Sequence, residues 1–142
     1  MKNNKLVTVM AIMLVAILLV GTIAVVAVLK LTGEDKKEEP TIDEVLEASV
    51  DIPEVTTNLA SNDFIKISFK IETDSKEAKE ELEKRDFQVR NIIIYELSEK
   101  KSEELQGVEG KKGLEETLKT KINSLMQDGK IKKVYITGSI LQ

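Results

Sequence analysis

The chain has no cysteine and no histidine among its 142 residues. Their absence excludes disulfides, thiol redox chemistry, most zinc sites and catalysis by Ser–His or Cys–His pairs. It leaves an oxidising exterior permitted but not required. Aromatic residues are also scarce: Phe64, Phe69, Phe87, Tyr95 and Tyr135 are the full set. Such a set supplies no stacking platform for nucleic acid. The 21 basic residues lie interspersed among 25 acidic ones and form no basic stripe. A general base would have to be a carboxylate, lysine or tyrosine. The adjacent pairs Glu103 with Glu104 and Glu115 with Glu116 point apart on a helix, so neither converges on one proton. No catalytic, cofactor-binding or metal-ligating constellation emerges, and the chain is expected not to be an enzyme.

Charge is missing altogether from one long run, which starts at Leu6 and ends at Leu29. As a helix rising about 1.5 Å per residue it reaches roughly 36 Å, beyond the roughly 30 Å hydrocarbon core of a bilayer. A cleaved signal peptide would have a shorter apolar region and a small-residue exit. Here the exit is Val28-Leu29-Lys30-Leu31. An uncleaved membrane anchor is therefore expected. Lys2 and Lys5 precede it, and Lys30, Lys36 and Lys37 follow it, so basic residues alone do not orient it. All the material able to fold lies on the C-terminal side. The expected arrangement is a cytoplasmic tail (1–5), a transmembrane helix (6–29), a linker (30–40) and one extracytoplasmic domain (41–142). Gly21 is the only glycine in the span, so no Gly-x-x-x-Gly dimer signal exists. With no ionisable residue inside, the helix alone offers no ion path.

After the span, residues 32–40 contain no apolar side chain, the signature of a solvated linker. Thr41 with Glu44 fits a capping box opening a short helix to about Ala48, and Pro53 is expected to limit regular structure. Val55 to Leu59 reads as a short strand. Phe64 to Glu72 alternates clearly, with Ile65, Ile67, Phe69 and Ile71 on one face and Lys66, Ser68, Lys70 and Glu72 on a wet one. Ser61-Asn62-Asp63 supplies the turn between them.

Asp74 with Glu77 is a second capping signal. The helix after it carries Ala78, Leu82, Val89, Ile93 and Leu97 on one face, with Phe87 and Ile94 nearly opposite. Either it breaks near Arg85 and Asp86, or its later half is buried on two sides. The charged stretch 79–85 reads as a solvated face with i,i+4 pairs. Leu114, Leu118, Ile122, Leu125 and Met126 form a second amphipathic helix, ended by Asp128-Gly129. In the terminal strand Val134, Ile136 and Ile140 alternate with Tyr135, Thr137 and Ser139. The expected class is α+β: an antiparallel hairpin, two helices and a C-terminal strand, the helices covering one sheet face.

The segment Gly107-Val-Glu-Gly-Lys-Lys-Gly113 invites comparison with a phosphate-binding loop. Leu105 stands where the first glycine belongs and Lys112 where Ser or Thr belongs, and no strand precedes it. A glycine-rich turn between helices is expected instead.

Taken in order, these features resemble the FliL family of flagellar basal body-associated membrane proteins. The resemblance rests on the single anchor and polar linker, then on Thr57-Asn58-Leu59 before the alternating strand. Further on come Arg90-Asn91-Ile92-Ile93 with Leu97-Ser98, Glu109-Gly110-Lys111 with Leu114, and Ile122-Asn123. Val134-Tyr135-Ile136-Thr137 and Gln142 close the pattern. Read from the residues, these positions have structural roles. Asn58 caps or bonds backbone at the hairpin, Arg90 pairs with a helix acid such as Glu83, Gly110 makes a tight turn and Gln142 satisfies a sheet edge. The resemblance implies a stomatin-type fold and a non-enzymatic protein in the cytoplasmic membrane at the flagellar motor. It further implies a ring of copies around the MotA–MotB stator that supports rotation, swarming and chemotaxis. Its partners are then the stator, the basal body and the lipid bilayer, with no nucleic acid. The competing reading is a membrane-tethered extracytoplasmic binding module unrelated to motility.

Overall fold

The computed structural model describes residues 2–32 and 38–142. Residues 33–37 of the expected linker, with Lys36 and Lys37, lie outside the described residues, as does Met1. The chain divides into two compact units, Met1–Glu39 and Pro40–Gln142.

In the first unit, helix α1 (Lys2–Thr32) extends past Leu6 at one end and Leu29 at the other. Its Leu, Ile, Val and Met side chains are exposed on all sides, which in water would be unfavourable and in lipid is what a span requires. Two hydroxyls within the apolar run are satisfied by the helix itself. Thr8 Oγ1 donates to the Asn4 carbonyl at 2.7 Å and Thr22 Oγ1 to that of Leu19 at 2.9 Å.

The second unit opens with α2 (Ile42–Glu47), where Thr41 and Glu44 form the expected capping box. Strands β1 (Ser49–Asn58) and β2 (Phe64–Thr73) make an antiparallel hairpin. Helices α3 (Lys76–Lys84) and α4 (Asp86–Glu99) follow, then a 3₁₀ turn (Ser102–Leu105), α5 (Gly107–Asn123) and β3 (Ile131–Leu141). The sheet order is β1-β2-β3, antiparallel throughout, so β2 is central and the other two strands are edges. Ile52, Val55, Ile65, Ile67, Phe69 and Ile71 from the sheet meet Leu82, Val89, Ile93, Leu97, Leu114, Leu118 and Ile122 from the helices in one core.

Several local expectations change. Pro53 does not stop β1; it sits in a bulge where Ile52 opposes Phe69 and Val55 opposes Ile67. One extra residue there keeps both apolar side chains facing inward, and a proline is tolerated because β1 is an edge. Glu72 is buried rather than wet, held by Lys132 at 3.3 Å and the Tyr135 hydroxyl at 3.1 Å. The cap of α3 is Ser75, whose Oγ accepts from Ala78 N, while Asp74 accepts instead from Lys130 N. Between the two alternatives for the long helix, the chain breaks at Arg85, and Phe87 is left 71% exposed.

The glycine-rich segment is not a turn between helices: it is the first two turns of α5. That helix stops at Asn123, short of Gly129, which instead takes φ +84° in the loop where a side chain would meet Asp74 and Ala78. In β3 two register shifts break the expected alternation. Lys133 opposes Glu72 but Ile131 opposes Thr73, and Gly138 opposes Ser68 but Ile136 opposes Phe69. The second shift moves Ile140 to the face of Lys66, where it is 54% exposed.

Candidate interaction surface

The positions singled out from the sequence are distributed over the domain rather than gathered in one pocket. Asn58 is exposed at the end of β1, opposite Phe64, and its side chain bonds no group among the described residues. Leu59 is buried, and its N–H donates to the Asp63 carbonyl at 2.8 Å across the hairpin turn. Ser61 ties that turn further: its Oγ donates to Asp63 at 2.7 Å and accepts from Ser102 N at 3.0 Å. No local pattern signals that this turn is fastened to the start of the 3₁₀ turn, because the partners lie 41 residues apart.

Arg90 bonds Asp86 at 2.9 Å, one turn back on α4, rather than Glu83. Glu83 belongs to α3, across the break at Arg85. Asn91 is exposed beside a shallow groove formed with Phe87, Gln88, Ile92 and Leu125. Tyr135 stands on the opposite sheet face, with Lys133 Nζ 4.7 Å from its ring centre. Burial raises its phenol above the ordinary value, and the neighbouring Glu72 adds to the effect.

Gly110 and Lys111 lie near the start of α5. Gly110 packs against the main chain of the 3₁₀ turn, where a Cβ would overlap the Glu104 carbonyl oxygen. Lys111 is exposed and lines a cleft of about 240 Å³ with Ile65, Leu105, Ser139 and Leu141. Gln142 closes the sheet through its main chain, donating to and accepting from Phe64 at 2.8 Å each.

Two carboxylates are structural: Glu81, expected on a solvated face, and Glu96, to which the sequence assigned no role. Glu81 accepts from Gln127 N at 3.0 Å and Asp128 N at 2.6 Å, and from Arg85 at 2.7 Å. The Asp128 bond is the main cause that holds its carboxyl below the ordinary value. Glu96 is 5% exposed between α4 and α5, paired with Lys121 and, at 3.3 Å, with Lys100. Burial opposes its charge, but hydrogen bonds from the two lysines outweigh it and keep the carboxyl below the ordinary value. These groups are spent on holding elements together, and nothing in their geometry aims at a reacting atom.

The edge of β3 is treated unevenly. At its start the Asn123 side chain acts as a strand substitute, accepting from Ile131 N at 2.7 Å and donating to Ile131 O at 3.2 Å. Glu115 Oε1 accepts from Ile136 N at 2.9 Å. Beyond Gly138 no helix side chain hydrogen-bonds the edge among the described residues. Neither role was legible from spacing, since each joins residues brought together only by the α5–β3 connection.

Residues 49–142 match the family described as flagellar basal body-associated protein FliL. The chain is 45% identical over 124 residues to the flagellar protein FliL of Bacillus subtilis (strain 168), covering 86% of this chain and 89% of that one. It is 28% identical over 93 residues to the flagellar protein FliL of Aquifex aeolicus (strain VF5), covering 63% of this chain and 58% of that one.

Proposed function

This chain belongs to the FliL family of flagellar basal body-associated proteins, and on that premise we propose that it acts at the motor as a membrane-anchored companion of the ion-driven stator. The segment from Leu6 to Leu29 spans the cytoplasmic membrane with the N-terminus inside. The domain, residues 41–142, stands outside. There it associates with the MotA–MotB complex, several copies forming a ring that supports rotation, swarming and chemotaxis.

The observation that carries this reading is the likeness to the Bacillus subtilis protein, which extends over most of both chains and is not confined to the C-terminal domain. The apolar helix supports anchoring, since its exposed surface has no use in water. Confinement to a membrane raises the effective concentration of domains, so weak contacts suffice for assembly around a partner.

The test is deletion of the gene in its native cell, with swimming and swarming tracked separately. Restoration uses the full chain or a version lacking residues 6–29. Impaired motility rescued only by the anchored form is the expected result. Normal motility on both soft and firm agar after deletion would overturn the motor role.

A further inference from the structure

We propose that the C-terminal half of β3 is a docking edge that receives an extended segment of a partner protein as a fourth strand. This goes beyond membership in the motor and does not depend on which motor component is bound.

Strand edges present unpaired main-chain groups, and folded proteins ordinarily block them. Here β1 is blocked by Pro53 and its bulge. The first part of β3 is blocked by Asn123 on Ile131 and Glu115 on Ile136. The remainder is left open. Gln142 and Phe64 exchange both of their main-chain hydrogen bonds, so they form a hydrogen-bonded pair of the ladder. In an antiparallel ladder the next residue points its N–H and C=O the other way. Leu141 and Ser139 therefore direct their main-chain groups outward, where nothing among the described residues accepts or donates.

The flanking side chains show what fits. Ile140 is 54% exposed on one face of the sheet and Leu141 is 41% exposed on the other. An added strand places alternate side chains on the two faces and so covers both residues at once. On the inner face Leu141 borders the cleft with Ile65, Leu105 and Lys111. At about 240 Å³ it falls below the roughly 300–1,000 Å³ of small-molecule sites and suits a side chain instead. Lys111 makes no ion pair among the described residues. The partner segment is thus extended, with two consecutive apolar residues, one for each face, and an acidic residue beside them for Lys111. Main-chain bonds supply the affinity and the cleft supplies the preference.

The experiment uses the full chain in lipid nanodiscs and a fluorescein-labelled probe peptide, acetyl-Thr-Val-Ile-Leu-Glu-Thr-amide, followed by anisotropy. Saturable binding with a dissociation constant below about 1 mM is expected. A version N-methylated at alternate amides, with identical side chains, is expected to bind at least about tenfold more weakly. Ser139→Pro removes an outward N–H that β2 does not use, so the sheet keeps its ladder while the edge loses a donor. It is expected to weaken the probe at least as much, whereas Ser139→Val leaves binding within about twofold. Should Ser139→Pro fail to fold, the N-methylated probe still decides. Absence of binding, or equal binding by the N-methylated peptide, would overturn the proposal. Self-association of the full chain that Ser139→Pro abolishes would also overturn it, assigning the edge to a second copy.

Discussion

Gly110 and Gly113 are three residues apart in the same helix, and the same substitution at each has opposite consequences. A Cβ at Gly113 meets nothing within 4 Å. Alanine there gains helix propensity, up to about 1 kcal/mol over glycine, and loses nothing. A Cβ at Gly110 overlaps the Glu104 carbonyl oxygen and stands 3.0 Å from the Leu105 carbonyl carbon. Both are main-chain atoms of the 3₁₀ turn, and Leu105 is itself buried, so no flexible side chain yields. Overpacking of that kind costs about 1–3 kcal/mol, and an overlap with a main-chain oxygen places it above the low end, beyond the propensity gain. Gly110→Ala is therefore expected to destabilise the domain by up to about 2 kcal/mol net. For a domain of this size 1 kcal/mol corresponds to roughly 4–8 °C, so the two variants should melt on opposite sides of the parent. Circular dichroism of the full chain in micelles, heated at fixed pH, reads the difference. Gly110→Ala melting at or above Gly113→Ala would refute the contact between α5 and the 3₁₀ turn.

Leu118→Ala, which empties a fully buried site, is expected to cost about 2–5 kcal/mol in urea unfolding, whereas exposed Phe87→Ala should stay within about 0.5 kcal/mol. Glu81, Glu96 and Asp63 are held below their ordinary values of 4.5, 4.5 and 3.8, so the unfolded chain takes up protons first as pH falls. Their stabilisation is complete above about pH 5 and is lost as pH drops through the lowered folded values; a pH series of melting temperatures reads it, and Glu96→Gln should flatten the acid limb. Tyr135 is raised above 10.0, so its contribution is complete below that pH and lost as pH rises through the folded value; Tyr135→Phe should remove this part of the alkaline decline.

What could be read in advance followed one rule: a signal within a few residues was legible, and one assembled from distant elements was not. The apolar run from Leu6 to Leu29, the alternation from Ile65 to Ile71 and the Thr41–Glu44 capping box are all local patterns; the run lies within one helix, Lys2–Thr32, and the strand and the capping box form as expected. The segment 107–113 misled because glycine frequency argues for a turn, yet Gly110 is there for close approach to a main chain that only the fold supplies. β3 misled for a related reason. Its bulges are not encoded by hydrophobic alternation, and one inserted residue is enough to carry Ile140 to the other face. Of the candidate positions, Tyr135 and Gln142 acquire partners no spacing rule could name, Glu72 and Phe64 respectively.

The proposed docking edge and the proposed membrane anchor make sense together through their strengths. Adding three or four residues to one strand gives few main-chain hydrogen bonds, each worth about 0.5–1.5 kcal/mol net, against the cost of ordering the segment. In free solution such a contact is weak and short-lived. For two partners confined to one membrane the same contact becomes nearly intramolecular, and apparent affinity rises by about 10²–10⁴ without any new bond. The expectation is specific. The probe peptide joined to a lipid through a flexible Gly-Ser linker should occupy the β3 edge in nanodiscs at concentrations where the soluble peptide is unbound. Its occupancy should fall when Ser139 is replaced by proline. Equal apparent affinities for the tethered and free peptides would mean that the anchor does nothing for this contact. Edge docking and membrane confinement would then be unrelated features of the chain.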